Sequence, residues 1–333
     1  MTIVAASQSH YSVIELYIDD IDAFFSHAHQ FTRPVAHRQR ERRSESIFGT
    51  VSIENNLGQV DSRATELIED AIIIWDDLIV DRKFTDEKLD LTISAKELSN
   101  GVLAQATYVT STGTDDNFYI THGVIIFSTT YIPNLISTNA FLSVALHEIG
   151  HTLGIPFSWG YYTSITVSNF IYAAPSKTVF NQEFDLTEEG IPVENEGGDG
   201  TQGAHWDELD GGQCCTTQRT VLPINRPTCI LTNELMTGWL GGSKTCISAT
   251  TLAALEDIGY TTAYCLSDND CNSGKVCMDR CGTEGLCPTL PYECLVSGTE
   301  PDGPVTEPSA GASRRHFSIL LHVGIFFCCA LFV

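Results

Sequence analysis

The run HEIGH at positions 147–151 has the residue types and the spacing of a catalytic metal site. Histidines four residues apart lie on one face of an α-helix, about 6 Å apart along its axis, so both imidazoles can bind one metal ion. Glu148 follows the first histidine and can reach a water molecule on that ion, as a general base must in metal-assisted hydrolysis. The run therefore predicts that His147 and His151 bind a metal and that Glu148 is catalytic. The rival interpretation is an ordinary helix with two exposed histidines.

A third ligand must come from elsewhere, because catalytic zinc takes three protein ligands and keeps one position open. Downstream of His151 the chain contains three more histidines, namely His205, His316 and His322. Because the last two lie in the C-terminal tail, His205 is the predicted third ligand.

A glutamate ligand is the alternative to His205. Such a ligand sits on a second helix, and the candidates near that position are Glu183, Glu188 and Glu189. The stretch 187–200 is rich in Gly, Pro and Asp, which disfavours a helix there. We therefore prefer His205.

Gly154 is predicted to end the active-site helix. After it the chain must turn sharply so that His205, across a loop of about fifty residues, can reach the metal. Glycine permits the left-handed backbone that such a turn requires.

Three segments together resemble the metzincin zinc proteases, and more narrowly the leishmanolysin family. They are HEIGHTLG (147–154), GAHWDELD (203–210) and NELMTGW (233–239). The long interval between the second and third histidines is a mark of that family. The resemblance extends to SATTLAALEDIGY (248–260) and covers roughly residues 48–264, which we take as the catalytic domain.

The resemblance implies a site and an activity. His147, His151 and His205 would bind one zinc ion, Glu148 would be the general base, and Met236 would form the methionine turn, an apolar floor beneath the metal. The implied activity is hydrolysis of peptide bonds in proteins by a zinc-activated water. The implied fold is α+β, with a twisted mixed sheet, an active-site helix above the cleft and an irregular lower subdomain.

The elements that must position these residues can be recognised from their hydrophobic patterns. Residues 63–80 have helical spacing, and a helix through 141–153 would be capped by Thr138 or Asn139. Strands are predicted at 48–53, 89–93, 101–108 and 123–127. This content indicates an α/β or α+β sandwich. We expect a peptide substrate to lie extended along an edge strand, with 123–127 as the candidate.

The twelve cysteines are distributed unevenly. None precedes Cys214, ten lie between Cys214 and Cys294, and Cys328 and Cys329 lie near the end. Their number and spacing favour disulfides over a zinc cluster, and so an oxidising compartment. Residues 265–296 resemble a small EGF-like module, for which we expect three disulfides of unknown connectivity.

The two ends suggest processing. Residues 1–47 are a candidate pro-region, and the run RERR ending at Arg43 is a candidate cleavage site, with a solvated basic turn as the alternative. A linker at 297–316 precedes an apolar tail at 317–333, which is either a glycolipid-anchor signal or a membrane anchor. The first residues contain no recognisable signal peptide. We nevertheless expect an extracellular, membrane-anchored protein at the cell surface.

The charge of the chain excludes one class of partner. Its formal net charge is -24, with 18 basic and 42 acidic residues, which argues against nucleic-acid binding. Between residues 97 and 218 the only basic residue is Lys177, which predicts a preference for cationic peptide substrates. The alternative to an enzyme is a catalytically inert adhesion protein that binds through its cysteine-rich module.

Overall fold

The structure is a computed structural model of the 333-residue chain. The residues that it describes are 13–17, 46–184, 186–198, 200–207, 231, 234–240, 247–263, 275–279 and 292–296. For Glu15, Tyr17 and the last two segments only the backbone is described. The predicted cleavage site at Arg43, most of the cysteine-rich module, the linker and the apolar tail lie outside the described residues.

The described chain contains six α-helices and twelve strands. The α-helices are α1 (Asn55–Val60), α2 (Arg63–Leu78), α3 (Ile132–Ser137), α4 (Phe141–Thr152), α5 (Lys177–Glu183) and α6 (Ala249–Asp257). The strands are β1 (Ile14–Tyr17), β2 (Phe48–Ile53), β3 (Ile79–Arg82), β4 (Leu89–Lys96), β5 (Val102–Thr112), β6 (Tyr119–Ser128), β7 (Thr166–Ser168), β8 (Ile171–Ala173), β9 (Ile191–Pro192), β10 (Tyr260–Thr262), β11 (Lys275–Asp279) and β12 (Tyr292–Val296).

The largest sheet is five-stranded and mixed, with the order β1-β5-β6-β4-β2. Strands β2, β4 and β6 are parallel, and β5 runs antiparallel to both of its neighbours. Smaller sheets pair β3 with β10, β11 with β12, and β7 with β8 and β9. The described chain is therefore α+β with a mixed sheet, as the sequence predicts.

Helix α4 is held by close contacts with α2 and the sheet. The indole N–H of Trp75 in α2 donates a hydrogen bond to the carbonyl oxygen of Leu146, one residue before His147 (2.9 Å). At the other end of the helix, a β-carbon at Gly123 of β6 would lie 2.6 Å from Cγ2 of Thr152. Only glycine allows the helix to approach the strand this closely, so Gly123 lets α4 pack directly on the sheet.

The strands predicted at 89–93, 101–108 and 123–127 are longer in the structure, as β4, β5 and β6, and two predictions for the helices also differ from it. The helix predicted over 63–80 ends at Leu78, because residues 79–82 pair with β10 instead. The cap predicted at Thr138 or Asn139 is wrong, since α4 begins at Phe141 after Ala140 without a side-chain cap. Thr138 instead donates its hydroxyl to the carbonyl of Asn134 at the end of α3 (2.9 Å).

The strand that we expected to bind substrate is not an edge strand. Residues 123–127 belong to β6, whose two sides are occupied by β4 and β5. This prediction is therefore wrong, because an interior strand has no hydrogen-bonding edge left for a peptide.

The outer side of β5 is covered in part by β1, which comes from the predicted pro-region. Residues 14–17 pair with 102–106 in antiparallel register. The side chains of Ile14 and Leu16 are buried in the hydrophobic core. Along 108–112 no described strand lies on that side of β5. Among the helices of the described residues, none has the length and the apolar character that a membrane span requires.

Candidate metal centre

Helix α4 brings the first two histidines and the glutamate together in the core. Every residue from Phe141 to Thr152 is buried, and His147, His151 and Glu148 are each at most 1% exposed. A helix that is apolar on all sides is stable only when it is packed on all sides, as here between α2 and the sheet. The rival interpretation of two exposed histidines is therefore wrong.

His205 reaches the same place through a glycine-rich loop. Gly197, Gly198, Gly200 and Gly203 all have positive φ angles, between 76° and 93°, which side chains disfavour. The loop closes on itself, since the N–H of Glu194 donates to the carbonyl of His205 (2.9 Å). The glycines thus allow a tight loop that places the fully buried His205 next to His147 and His151.

The Nε2 atoms of the three histidines converge. His147 and His151 are 2.9 Å apart at Nε2, and His205 lies 3.1 Å from His151 and 3.2 Å from His147. The ligand atoms of these three histidines all lie within 4.8 Å of one another, close enough to hold one metal ion. Among the His, Cys, Asp and Glu side chains of the described residues, these three form such a group.

The opposite ring nitrogens show which tautomer is present. Each Nδ1 faces a backbone carbonyl oxygen: Leu235 for His147 (2.6 Å), Ile155 for His151 (2.6 Å) and Thr201 for His205 (3.0 Å). A carbonyl oxygen only accepts, so each Nδ1 carries the hydrogen and each neutral ring presents a lone pair at Nε2.

Both burial and mutual repulsion keep these rings neutral. Burial lowers the pKa of His147 to about 3, with a further contribution from His205, and lowers that of His205 to about 4. The pKa of His151 is also lowered well below its usual range by burial and by the two neighbouring rings. Neutral imidazole is the form that binds a metal.

The donor set fits a metal ion. Three Nε2 lone pairs pointing at one another cannot hydrogen-bond and repel, so a cation between them is the natural partner. Two nitrogens bound ~2.05 Å from a tetrahedral ion lie ~3.3 Å apart, close to the separations found here. The three buried histidines are therefore close enough to bind one metal ion.

Met236 lies against the last turn of α4. A β-carbon at Gly150 would lie 2.5 Å from the Met236 sulfur and 3.4 Å from the ring of Trp75. Met236 is fully buried, and its carbonyl accepts the N–H of Trp206, next to His205 (3.0 Å). The methionine thus packs between two of the histidine-bearing segments.

Gly154 turns the chain directly after the helix. Its φ angle is +126°, and a β-carbon there would lie 2.5 Å from Oγ of Ser158 and 2.8 Å from Cδ1 of Ile258. The turn places the carbonyl of Ile155 against Nδ1 of His151. Gly154 therefore contributes to the orientation of a histidine as well as to the end of the helix.

The glutamates considered as alternative ligands lie elsewhere. The carboxylate of Glu183 accepts hydrogen bonds from the N–H groups of Ala249 and Thr250 at the start of α6 (3.0 and 2.8 Å). The backbone N–H of Glu188 bonds to Asn181 (2.8 Å). Glu183, Glu188 and Glu189 do not belong to the histidine group.

Sequence reasoning missed Glu234, a buried carboxylate close to the centre. It lies two residues before Met236 and accepts hydrogen bonds from that residue and from the start of α6. The signal available in the sequence was a charged residue directly before the apolar pair Leu235 and Met236, where a buried charge needs several partners.

A scan against protein-family models finds no match for this chain, and a search of curated proteins finds no significant relative.

Proposed function

We propose that the protein is a zinc-dependent endopeptidase of the leishmanolysin type. The observation that carries the proposal is the convergence of three Nε2 lone pairs, together with Glu148, which follows His147 on the same buried helix. Three neutral imidazoles with one open position form a donor set typical of catalytic zinc. The order of the motifs along the chain supports the same assignment.

Zinc, when bound, acidifies water and polarises carbonyl groups. His147, His151 and His205 would hold it, and their Nδ1 hydrogen bonds to Leu235, Ile155 and Thr201 would keep the rings oriented. Met236 would form the floor of the site.

Glu148 would move the proton in this reaction. Its carboxylate would take a proton from the attacking water and then deliver it to the nitrogen of the leaving amine. The position next to His147 places the carboxylate on the same helix as His147 and His151. Complete burial keeps bulk water away from the carboxylate.

The edge of β5, rather than β6, would bind an extended peptide. Residues 108–112 continue past the register of β1, and Val109 is exposed there. A peptide could add to that edge through main-chain hydrogen bonds. The acidity between residues 97 and 218 favours cationic substrates, and the cysteine-rich module and apolar tail favour the cell surface.

A Glu148→Gln variant tests the catalytic proposal. It should keep close to one zinc per chain but cleave an unstructured protein such as casein about a thousandfold more slowly. His205→Gln is the matched control and should lose both zinc and cleavage. Full activity of Glu148→Gln would contradict the mechanism. A wild-type protein that binds zinc without cleaving any peptide would favour the inert adhesion protein.

A further inference from the structure

We propose that Glu234 is a positioning residue that orients His147 for metal binding through a single shared peptide group, an inference that rests on the metal site proposed above. Glu234 is 4% exposed and does not belong to the histidine group. Its role in the site is therefore indirect.

Four hydrogen-bond donors point at the Glu234 carboxylate. Oε2 accepts the backbone N–H of Met236. Oε1 accepts the N–H and the hydroxyl of Ser248 (3.2 and 3.0 Å) and the hydroxyl of Thr251 (2.6 Å). Ser248 is the N-cap of α6, where the free N–H groups of a helix favour a negative charge. One carboxylate therefore ties the methionine turn to the start of α6.

The connection to His147 passes through one peptide plane. The N–H of Met236 and the C=O of Leu235 belong to the same rigid peptide group. Glu234 binds the N–H at one edge of that plane, and Nδ1 of His147 donates to the carbonyl oxygen at the other edge (2.6 Å). Fixing the plane thus fixes the direction of the imidazole.

The same arrangement has an electrostatic consequence. A carboxylate that accepts the N–H of an amide polarises the amide, and its carbonyl oxygen becomes a stronger acceptor. A stronger acceptor at Nδ1 makes Nε2 a better metal ligand, as carboxylates bound directly to ligand histidines do. Glu234 would act in this way across one peptide group.

The network also borders the third histidine. The Thr251 hydroxyl that donates to Glu234 accepts the indole N–H of Trp206, the residue after His205 (2.9 Å). The backbone N–H of Trp206 donates to the carbonyl of Met236 (3.0 Å). A change at Glu234 should therefore disturb both histidine-bearing segments.

Glu234→Gln is the test variant, because it keeps the size of the side chain and replaces one acceptor oxygen with an NH₂ donor. Glu183→Gln is the matched control. Glu183 also binds the start of α6, through Ala249 and Thr250, and none of its described hydrogen bonds involves the methionine turn. Both variants should therefore lose stabilisation of the start of α6. Only Glu234→Gln should also affect His147.

The full-length proteins are compared by three measurements: zinc affinity by competition with a chelating dye, the visible absorption of the cobalt-substituted protein, and the His147 Nδ1–H resonance of the metal-free protein. Glu234→Gln should weaken zinc binding 10- to 100-fold, shift the cobalt bands and move the resonance. Glu183→Gln should keep zinc affinity within about twofold and leave the cobalt bands in place.

Unchanged zinc affinity and cobalt bands in Glu234→Gln, or equal losses in both variants, would overturn the positioning role and leave the proposed function standing. If the wild-type protein binds no metal, the proposed function fails. A displaced His147 resonance in metal-free Glu234→Gln would then still support positioning, and an unmoved one would overturn it.

A second pair of variants applies if Glu234→Gln does not fold. Thr251→Val is isosteric but removes the hydroxyl that donates to Glu234 and accepts the indole N–H of Trp206, and Thr251→Ser keeps that hydroxyl. The valine variant should bind zinc about tenfold more weakly than the serine variant. Equal affinities would overturn the proposal.

Discussion

The sulfur of Met236 packs against the backbone of Gly150, the residue before His151. A β-carbon at position 150 would lie 2.5 Å from that sulfur. We expect Gly150→Ala to push Met236 away from the helix, because van der Waals radii do not allow this distance. The free energy of unfolding should fall by about 1–3 kcal/mol, as for other overpacked core positions. Zinc affinity should fall with it, which dye competition can measure.

The matched control for this prediction is Gly58→Ala in α1. Gly58 is exposed, and a β-carbon at this position would lie 4.0 Å from its nearest neighbour, the hydroxyl oxygen of Thr65. Alanine should stabilise this helix by about 0.5–1 kcal/mol. A Gly150→Ala protein as stable as the Gly58→Ala protein would show that Met236 does not need this contact.

Gly154→Ala should destabilise the protein and weaken metal binding. Its φ angle of +126° disfavours any side chain, and a β-carbon would also meet Ser158 and Ile258. The cost should be about 1–3 kcal/mol in chemical unfolding. Gly160→Ala is the control, since no atom lies within 4 Å of a β-carbon there. Equal stability of the two variants would contradict the prediction.

Zinc should stabilise the folded protein. A ligand that binds only the folded state at a hundred times its Kd adds about 2.7 kcal/mol. Thermal unfolding of the wild-type protein should therefore occur at a lower temperature after chelation and recover on addition of zinc. His205→Gln should show little zinc-dependent shift. If neither chelation nor added zinc changes the unfolding temperature of the wild-type protein, the proposed metal site is contradicted.

The stability of the wild-type protein should depend on pH through Glu234. Burial, which outweighs the donated hydrogen bonds, raises the pKa of Glu234 from 4.5 to about 7 in the folded chain. A carboxyl with a raised pKa binds its proton more tightly when folded. Its stabilising contribution is therefore complete below about pH 4.5 and is lost as the pH rises through about 7.

Glu234→Gln cannot titrate at this position. The free energy of unfolding of the wild-type protein, relative to that of the variant, should decrease by about 3 kcal/mol between pH 4.5 and pH 8. Contributions from titrating groups that the substitution leaves unperturbed cancel in the difference. Urea unfolding of the metal-free proteins at several pH values measures this difference in the free energy of unfolding. A difference that is constant with pH would refute the prediction.

Cleavage after Arg43 should not by itself release the N-terminal fragment. Ile14 and Leu16 are buried, and β1 is paired with β5. Two buried aliphatic side chains contribute about 3–6 kcal/mol of burial energy. The fragment should therefore elute with the rest of the protein in native gel filtration and separate in denaturant. Ile14→Asp with Leu16→Asp should allow release without denaturant.

Local geometry explains what could be predicted from the sequence. A spacing of four residues places His147 and His151 on one helix face in any α-helix, so neither needed the tertiary structure. The strand at 48–53 follows from alternation alone and is found with the predicted bounds. His205 could be selected because few histidines follow His151.

The tertiary structure decided what depends on distant segments. His147 and Leu235, which form the hydrogen bond that sets the tautomer, are 88 residues apart. No local pattern reports such a contact. The strand order likewise depends on distant segments. The pattern of 123–127 indicates a buried strand, but it does not show that β5 and β4 flank this strand. Thr138 likewise has a capping side chain, yet its hydroxyl bonds to the end of α3.

Glu234 shows both what the sequence can predict and what only the tertiary structure decides. Its sequence position beside Met236 is visible, but a carboxylate is ordinarily a surface group. Only the folded chain brings the N-terminus of α6 to it and supplies three of the four donors that make its burial tolerable. The sequence by itself thus determined which side chains could bind a metal. The tertiary structure determined how their rings are oriented, because orientation depends on backbone groups that only folding brings within hydrogen-bonding distance.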